Sequence, residues 1–342
     1  MIAGQRYERI ILWLTFQFFL LVGCTNSSNP PPLLPTIISV ATTPYSQATV
    51  TATAVPQTFP PLPTPSPISP PTTVPLTPTP TVTAVPPTWT PTRCPPGQVI
   101  TGIFPSKLTG SSNYRVYLPP CYGIDGRGYP TLYLFSGNSQ DENAWDNYGL
   151  DEAAESAIQN QTIPPLLIVM VDGGWIANNS SGGPNSYEGH IINNLVPFIE
   201  QIYCAWPETA GRAIGGLSRG GYWSLEIAFR HPQKFASVGG HSPALIDSHA
   251  GPEINPQDTA LTNDLTGLRI YLDIGADDYL LPNTLRLHEE MQAANIPHTW
   301  KLNEGAHDDN YWPQHLTEYL TWYTQPWSFN RNTYPHQSCS SP

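Results

Sequence analysis

A serine flanked by glycines, at the junction of a strand-like and a helix-like segment, constrains this fold more than any other feature. The motif GLSRG at 216–220 follows the apolar run 212–215 and precedes a helical pattern that stops at Pro232. A turn this tight puts Ser218 in a strained backbone conformation, and only glycine leaves room beside it. Strand, G-x-S-x-G and helix are the context of a nucleophile elbow, which predicts a reactive serine at the edge of an α/β sheet.

The first 24 residues have the pattern of an export signal. Two arginines precede the apolar run 10–22, which suits a signal peptide and is too short for an ordinary membrane span. The run ends in LVGC at 21–24, which resembles the lipobox of bacterial lipoproteins and implies cleavage before Cys24 and lipidation of Cys24. The alternative is an uncleaved anchor or a conventional signal with a chance cysteine. We expect residues 1–23 to be a signal peptide and the protein to be exported and lipid-anchored at the cell surface.

Residues 24–93 have the composition of a disordered stalk. Proline, threonine, serine, alanine and valine dominate, and Arg93 is the only charged residue of this stretch. Proline removes backbone donors and favours an extended polyproline path. At about 3 Å per residue the stalk can extend as far as about 200 Å.

Residues 94–342 have the length of one α/β domain and carry the remaining four cysteines, Cys94, Cys121, Cys204 and Cys339. An even count in an exported domain predicts two disulfides, with three possible pairings. Cys94 and Cys121 flank a predicted hairpin, which favours Cys94–Cys121 with Cys204–Cys339. The cysteine and histidine spacings do not predict a metal site. The net charge of −12 with few lysines argues against a nucleic-acid partner.

The order of apolar segments in this domain predicts the fold class. Strands are expected at 99–104, 114–118, 131–135, 166–171, 212–215, 236–240, 268–274 and 299–302, and helices near 150–158, 191–203, 219–231, 284–294 and 309–323. Apolar strands without clean alternation, interleaved with helices, indicate a mostly parallel sheet covered by helices on both faces. The first two strands, joined by a turn-rich segment, indicate an antiparallel N-terminal hairpin.

Two downstream loops carry the partners that a reactive serine needs. A serine hydroxyl needs a base within hydrogen-bond reach and a carboxylate that orients the base, in the chain order Ser, Asp, His for an α/β hydrolase. Asp277 and Asp278 follow one predicted strand, and His307 follows the next. These side chains can converge with Ser218 at the carboxyl edge of the sheet. His241, which also follows a strand, is the main rival to His307, and spacing does not choose between the two aspartates.

Several motifs together resemble one family. They are YLPP at 117–120, YPTLYL at 129–134, GGLSRGG at 215–221, G-x-x-D at 275–278, and GAH at 305–307 with Tyr311 and Trp312. This combination resembles the esterase family of α/β hydrolases, which includes feruloyl and acetyl-xylan esterases, S-formylglutathione hydrolases, siderophore esterases and mycolyltransferases.

The resemblance implies roles for individual residues. It implies that Asp278 is the acid, and that the backbone N–H groups of Asn138 and Arg219 form an oxyanion hole. It also implies catalysis without a metal or organic cofactor. Many relatives carry His-Gly where this chain has Ser136-Gly137, so the local shape of the pocket is expected to differ.

Aromatic residues are candidates for the walls of a substrate pocket. They are Trp145, Trp175, Tyr187 and Trp223, with His241 as a further candidate. Packing in the core or at the surface is at least as good an interpretation for each of them singly. The stretch 172–187 is rich in glycine, asparagine and serine, and is interpreted as a loop over the site.

These observations predict an exported serine esterase that cleaves a carboxylic ester, with feruloyl or acetyl esters of carbohydrate as candidate substrates. The alternatives are an acyltransferase of the mycolyltransferase type and a non-catalytic binding module on a hydrolase shell. A peptidase on the same fold is a third interpretation, which is disfavoured because the domain lacks an obvious accessory region to screen peptides. Contact with the membrane is expected only through the lipid at Cys24.

Overall fold

A computed structural model describes residues 94–337 of the chain. Its eight strands are β1 Gln98–Ser106, β2 Gly110–Leu118, β3 Thr131–Phe135, β4 Leu167–Val171, β5 Arg212–Leu217, β6 Ser237–His241, β7 Arg269–Gly275 and β8 Thr299–Asn303. They form a single sheet in the order β1-β2-β4-β3-β5-β6-β7-β8. β1 pairs antiparallel with β2, and β2 pairs antiparallel with β4. All other neighbouring strands of the sheet, from β4 through β3 to β8 in the spatial order, pair in parallel. The predicted hairpin and parallel sheet are therefore confirmed.

Helices cover both faces of this sheet. The α-helices in the described part of the chain are α1 Ala144–Asn147, α2 Leu150–Gln159, α3 Gly174–Asn178, α4 Tyr187–His190, α5 Val196–Ile202, α6 Arg219–Arg230, α7 Pro256–Thr262, α8 Leu281–Ala293 and α9 Tyr311–Thr324. A π-helical turn, Ile191–Leu195, joins α4 to α5, so the predicted helix at 191–203 is regular only in its second half. None of the described helices combines the length and the apolar character that crossing a bilayer requires.

Alternate residues of each central strand contribute to two separate cores. Tyr133 and Phe135 of β3 pack into the core that contains α4 to α8. Leu132 and Leu134 of the same strand pack into the core beneath α1, α2 and α9. Side chains of a strand alternate between the two faces, so a strand between two helical layers must be apolar at every position. This is why the central strands have apolar runs instead of an alternating pattern.

Three of the four cysteines of the domain lie in the described residues, and all three are disulfide-bonded. Cys94 and Cys121 form a disulfide, which confirms the first predicted pair. Cys204 is buried and disulfide-bonded, but the predicted partner Cys339 lies outside the described residues. The predicted signal peptide, the lipidation of Cys24 and the stalk at 24–93 also lie outside the described residues and stay predictions.

Candidate active site

Ser218 sits at the tip of a sharp turn between β5 and α6. Its backbone angles are φ 54° and ψ −119°, an unfavourable conformation for a residue with a Cβ. The N–H of Ser218 donates to the carbonyl of His241 at 3.0 Å, which ties the turn to the end of β6. A Cβ at Gly216 would lie 2.5 Å from the backbone of Gly220, and one at Gly220 would lie 2.3 Å from the carbonyl of Phe135. Both glycines are therefore required by contacts with backbone atoms.

The loops that follow β7 and β8 bring an aspartate and a histidine to this serine. His307 Nε2 lies 2.9 Å from Ser218 Oγ, and His307 Nδ1 lies 2.8 Å from Asp278 Oδ2. Asp278 is 4 % exposed and its Oδ1 accepts the N–H of Leu280 at 2.8 Å, so both carboxylate oxygens are engaged. The neighbouring Asp277 is exposed to solvent. The structure thus brings together the three side chains expected from the sequence, with Asp278 as the partner of the histidine.

Close backbone packing aligns the two loops. The N–H of Ala276 donates to the carbonyl of Asn303, and the N–H of Asp277 donates to the carbonyl of Gly305. A Cβ at Gly275 would lie 2.2 Å from the carbonyl oxygen of Gly305, so the loops can approach this closely only without a side chain there. Gly305 also has φ +121°, a region that favours glycine. These contacts fix the positions of the two loops, so that Asp278 and His307 stay within hydrogen-bond distance of each other.

Aromatic rings enclose the imidazole of His307. The ring of Tyr279 lies 4.9 Å from it, centroid to centroid, and the ring of Trp312 lies 5.2 Å from it in an edge-to-face arrangement. The two rings limit rotation of the imidazole about its side-chain bonds. His307 can therefore keep one nitrogen towards the serine and the other towards the carboxylate.

Two cavities meet at Ser218, each with a volume of about 510 Å³. The first, here called the histidine-side cavity, is lined by Gly137, Asn138, Ser139, Gln140, Leu217, Ser218, Tyr279, His307, Asp308, Asp309 and Trp312. The second, here called the arginine-side cavity, is lined by Asn138, Ala177, Asn178, Ser218, Arg219, Tyr222, Ala244, Ile246, His249, Tyr279 and Leu280. The hydroxyl of Ser218 is thus reached from two sides.

The two cavities differ in charge. Asp308 and Asp309 line the histidine-side cavity, and both are exposed to solvent. Arg219 lines the arginine-side cavity and is 7 % exposed. Its Nη1 donates to Asn178 Oδ1 at 2.6 Å, and burial lowers the pKa of the guanidinium. Arginine remains protonated even when its pKa is lowered, so a fixed cation lies on one side of Ser218 and carboxylates lie on the other.

A group of polar side chains that the sequence analysis missed borders the histidine-side cavity. Asp309 Oδ1 accepts from the hydroxyl of Tyr148 at 2.6 Å and from Nε2 of Gln140 at 3.4 Å. Gln140 Oε1 in turn accepts the N–H of Gly137 at 2.9 Å. Burial, followed by the hydrogen bond to Asp309, raises the pKa of Tyr148, which stays a neutral donor. The sequence could have indicated Asp309 as a site residue, because it lies only two residues after His307.

His241, the predicted rival of His307, occupies a different environment. It is fully buried, and its Nδ1 lies 2.7 Å from Asp273 Oδ1 while its Nε2 lies 3.0 Å from the hydroxyl of Tyr323. Asp273 Oδ2 also accepts from the hydroxyls of Tyr311 and Tyr319, each at 2.7 Å. Both ring nitrogens are therefore engaged away from Ser218 Oγ. His241 contributes its backbone carbonyl to the serine turn and does not line either cavity.

The predicted aromatic walls do not lie at the cleft. Four of the five predicted pocket residues are buried in the cores, at 0–1 % exposure, and line neither cavity: Trp145, Tyr187, Trp223 and His241. Trp175 is 75 % exposed and also lines neither. Large aromatic side chains gain most free energy when they are buried, so their type alone does not separate pocket from core.

The stretch 172–187, interpreted as a loop over the site, contains α3 and the first residue of α4. Ser186 caps α4, since its side chain accepts the N–H of Glu188. Two residues near the end of α3, Ala177 and Asn178, line the arginine-side cavity. The segment thus adjoins the cleft, but it is partly helical.

The sequence matches the Esterase family model over residues 106–323. This match covers more than half of the chain. The chain belongs to the Esterase family, and its sheet has the α/β-hydrolase arrangement. Within residues 94–337, no three His, Cys, Asp or Glu side chains converge as ligands for a metal ion.

Individual relatives agree with this family. "Esterase Rv1288" of Mycobacterium tuberculosis is 37 % identical over 149 residues, which are 41 % of this chain and 31 % of that protein. The chain thus spans about a third of the length of this relative. A solved ferulic acid esterase superposes with a TM-score of 0.62 at 23 % identity, over 68 % of this chain and all of that one. The S-formylglutathione hydrolase of Staphylococcus aureus superposes with a TM-score of 0.57 at 22 % identity, over 67 % and 96 %. At 22–23 % identity these solved structures support the fold alone.

Proposed function

We propose that this protein hydrolyses carboxylic esters through a catalytic triad of Ser218, His307 and Asp278. The observation that carries the proposal is the unbroken chain of contacts from Ser218 Oγ to His307 Nε2 at 2.9 Å and from His307 Nδ1 to Asp278 Oδ2 at 2.8 Å. A serine hydroxyl is a weak nucleophile at neutral pH and needs such a base, oriented by such a carboxylate.

The reaction proceeds in two halves. His307 Nε2 takes the hydroxyl proton as Ser218 Oγ attacks the ester carbonyl, while Asp278 stays ionised and stabilises the imidazolium. His307 then donates this proton to the departing alcohol oxygen, and the acyl group remains on Ser218. In the second half a water molecule loses a proton to His307 and attacks the acyl carbon, which releases the acid and restores the serine hydroxyl. Each proton thus passes through His307 Nε2.

Backbone N–H groups would stabilise the tetrahedral oxyanion. Arg219 is the first residue of α6, and the first N–H groups of a helix have no carbonyl partner inside the helix. Asn138, in the loop after β3, lines both cavities beside Ser218. Donors at these two positions would each contribute about 3 kcal/mol to transition-state stabilisation. The N-terminus of α6 adds a favourable dipole at the same point.

The proposed setting is the outside of the cell, with feruloyl or acetyl esters of carbohydrate as candidate substrates. Support for export comes from the signal-like N-terminus and from the disulfide between Cys94 and Cys121, since disulfides persist in oxidising compartments. Support for a feruloyl ester comes from a sequence relative, the "Endo-1,4-beta-xylanase/feruloyl esterase" of Xylanibacter ruminicola, which is 30 % identical over 155 residues, 42 % of this chain and 21 % of that protein. We infer a lipid anchor at Cys24 and a proline- and threonine-rich stalk at 24–93 that links the anchor to the domain.

The test compares the full chain with the Ser218→Ala variant on p-nitrophenyl acetate and methyl ferulate. We expect turnover of at least one ester by the wild-type protein, a loss of at least about 10³-fold in the variant, and labelling of Ser218 by a fluorophosphonate. Folded wild-type protein that neither turns over an ester nor reacts with the fluorophosphonate would refute the proposal. The ratio of rates on the two esters reports the size of the acyl group that the cleft accepts.

A further inference from the structure

The two carboxylates of the histidine-side cavity have no role in the proposed catalytic steps. Asp308 and Asp309 directly follow His307 and line the same cavity, whose lining includes no lysine or arginine. The half of the ester that faces these two carboxylates follows from the path of the proton, and this assignment rests on the proposed function.

The proton path assigns the alcohol half to the histidine-side cavity. His307 Nε2 receives the serine proton and must return it to the leaving oxygen, so that oxygen has to lie within hydrogen-bond distance of Nε2. The group attached to the leaving oxygen therefore extends past His307, towards Asp308 and Asp309. The oxyanion is directed to the N–H groups of Asn138 and Arg219. The remaining substituent of the tetrahedral carbon, the acyl chain, then enters the arginine-side cavity, which His307 does not line.

Asp309 is a positioned acceptor at this cavity. Its Oδ1 is held by Tyr148 and Gln140, which leaves Oδ2 to accept from a hydroxyl of the substrate. Asp308 Oδ1 accepts the N–H of Asn310 at 2.9 Å, which orients the second carboxylate. Ionised carboxylates accept hydrogen bonds and do not donate them, so they favour hydroxyl or ammonium donors and repel anions.

We propose that Asp308 and Asp309 select the alcohol half of the ester by charge. The cleft accepts neutral or cationic alcohols that present hydrogen-bond donors, and discriminates against alcohols that carry a carboxylate or phosphate. Because both residues are exposed, the discrimination depends on ionic strength. We expect about a tenfold preference at about 10 mM salt, falling to about twofold at about 500 mM, where the Debye length drops to a few ångströms.

The experiment uses the full chain and two acetyl esters that differ in leaving-group charge, 4-acetoxybenzoate and its methyl ester. The acyl group is the same, and each kcat/KM is divided by the rate constant of alkaline hydrolysis of that ester to remove intrinsic reactivity. The expected result is a ratio of about ten in favour of the neutral ester at low salt. The double variant Asp308→Asn, Asp309→Asn should bring the ratio to within about twofold of one, since asparagine keeps the acceptor oxygen for Tyr148 and removes only the charge.

Glu304→Gln is the matched control, because it removes a carboxylate from the same loop outside the cavity lining. Its ratio should stay close to the wild-type value. A wild-type ratio near one at low salt, or an unchanged ratio in the double variant, would overturn the charge selection. Turnover of p-nitrophenyl acetate and its loss in Ser218→Ala are measured in parallel. If that dependence on serine is absent the proposed function itself fails, and if it is present only the charge selection is under test.

Discussion

Replacement of Asp278 by asparagine tests the proposed triad at the point where the structure makes a sharp prediction. Asp278 Oδ1 accepts the N–H of Leu280 at 2.8 Å, so the asparagine oxygen must take this position to keep the bond. The amide nitrogen then faces His307 Nδ1, at the place where Oδ2 lies 2.8 Å away. An amide nitrogen is a donor, so it stabilises the imidazole tautomer whose proton is on Nε2.

That tautomer cannot accept the proton of Ser218. With Nε2 protonated, the nitrogen that lies 2.9 Å from Ser218 Oγ becomes a donor, and the general base is lost. A wrong tautomer of this kind lowers kcat by about 10⁴-fold, which corresponds to about 5 kcal/mol of transition-state stabilisation. KM should change little, because Asp278 lines neither cavity.

The assay is hydrolysis of p-nitrophenyl acetate by Asp278→Asn, with Asp277→Asn as the matched control. Asp277 is adjacent, carries the same charge and is exposed, so its replacement should leave kcat within about twofold. The melting temperature of Asp278→Asn should fall by no more than about 4 °C, since the bond to Leu280 is kept. An Asp278→Asn protein with more than a tenth of the wild-type kcat, or a loss of a hundredfold in Asp277→Asn, would refute this assignment of the acid.

Three further predictions concern residues that stabilise the folded domain. Gly216→Ala should lose at least about 2 kcal/mol of unfolding free energy in urea, because its Cβ would meet backbone atoms at 2.5 Å; a loss below about 0.5 kcal/mol would contradict this. Asp273→Asn should lose about 3 kcal/mol in the same assay, because its buried carboxylate accepts from one imidazole and two hydroxyls, and a neutral effect would count against that network. Burial alone would raise the pKa of Glu188, but hydrogen bonding from His231 and the charge of Arg230 lower it to about 2. The ionised Glu188 therefore stabilises the folded state fully above the ordinary pKa of 4.5, and this contribution is lost as the pH falls from 4.5 towards 2. Glu188→Gln should reduce the acid-induced loss of unfolding free energy by up to about 3 kcal/mol. An unchanged dependence of the unfolding free energy on pH between 4.5 and 2 would contradict the assignment.

The order of strands and helices could be predicted from the sequence because it depends on local properties. Apolar runs mark strands that are buried on both faces, and helical spacing marks α2, α6 and α9. The turn at Ser218 could be predicted for the same reason, since glycines at 216 and 220 are required within five consecutive residues. Its position at the carboxyl edge follows from the parallel order of the strands.

The choice among candidate side chains depended on the tertiary structure. Both Asp277 and Asp278 follow β7, and only the contact between the β7 and β8 loops turns the second of them towards His307. The sequence placed His241 just after a strand, but it is the last residue of β6, where packing on Tyr319 and the bond to Asp273 bury it. Sequence spacing contains no information on these contacts between distant loops.

The walls of the cleft were the least predictable part. Periodicity and residue type report how deeply a side chain is buried along its own element, and aromatic residues fit a core as well as a pocket. The observed walls come from loops that are more than a hundred residues apart, where Gln140 and Tyr148 meet Asp309. The sequence by itself determined the order of strands and helices, the turn at Ser218 and the residue types of the proposed triad, because these depend on neighbours in the chain. Only the tertiary structure decided which aspartate, which histidine and which walls form the site, because these depend on loops that meet in space.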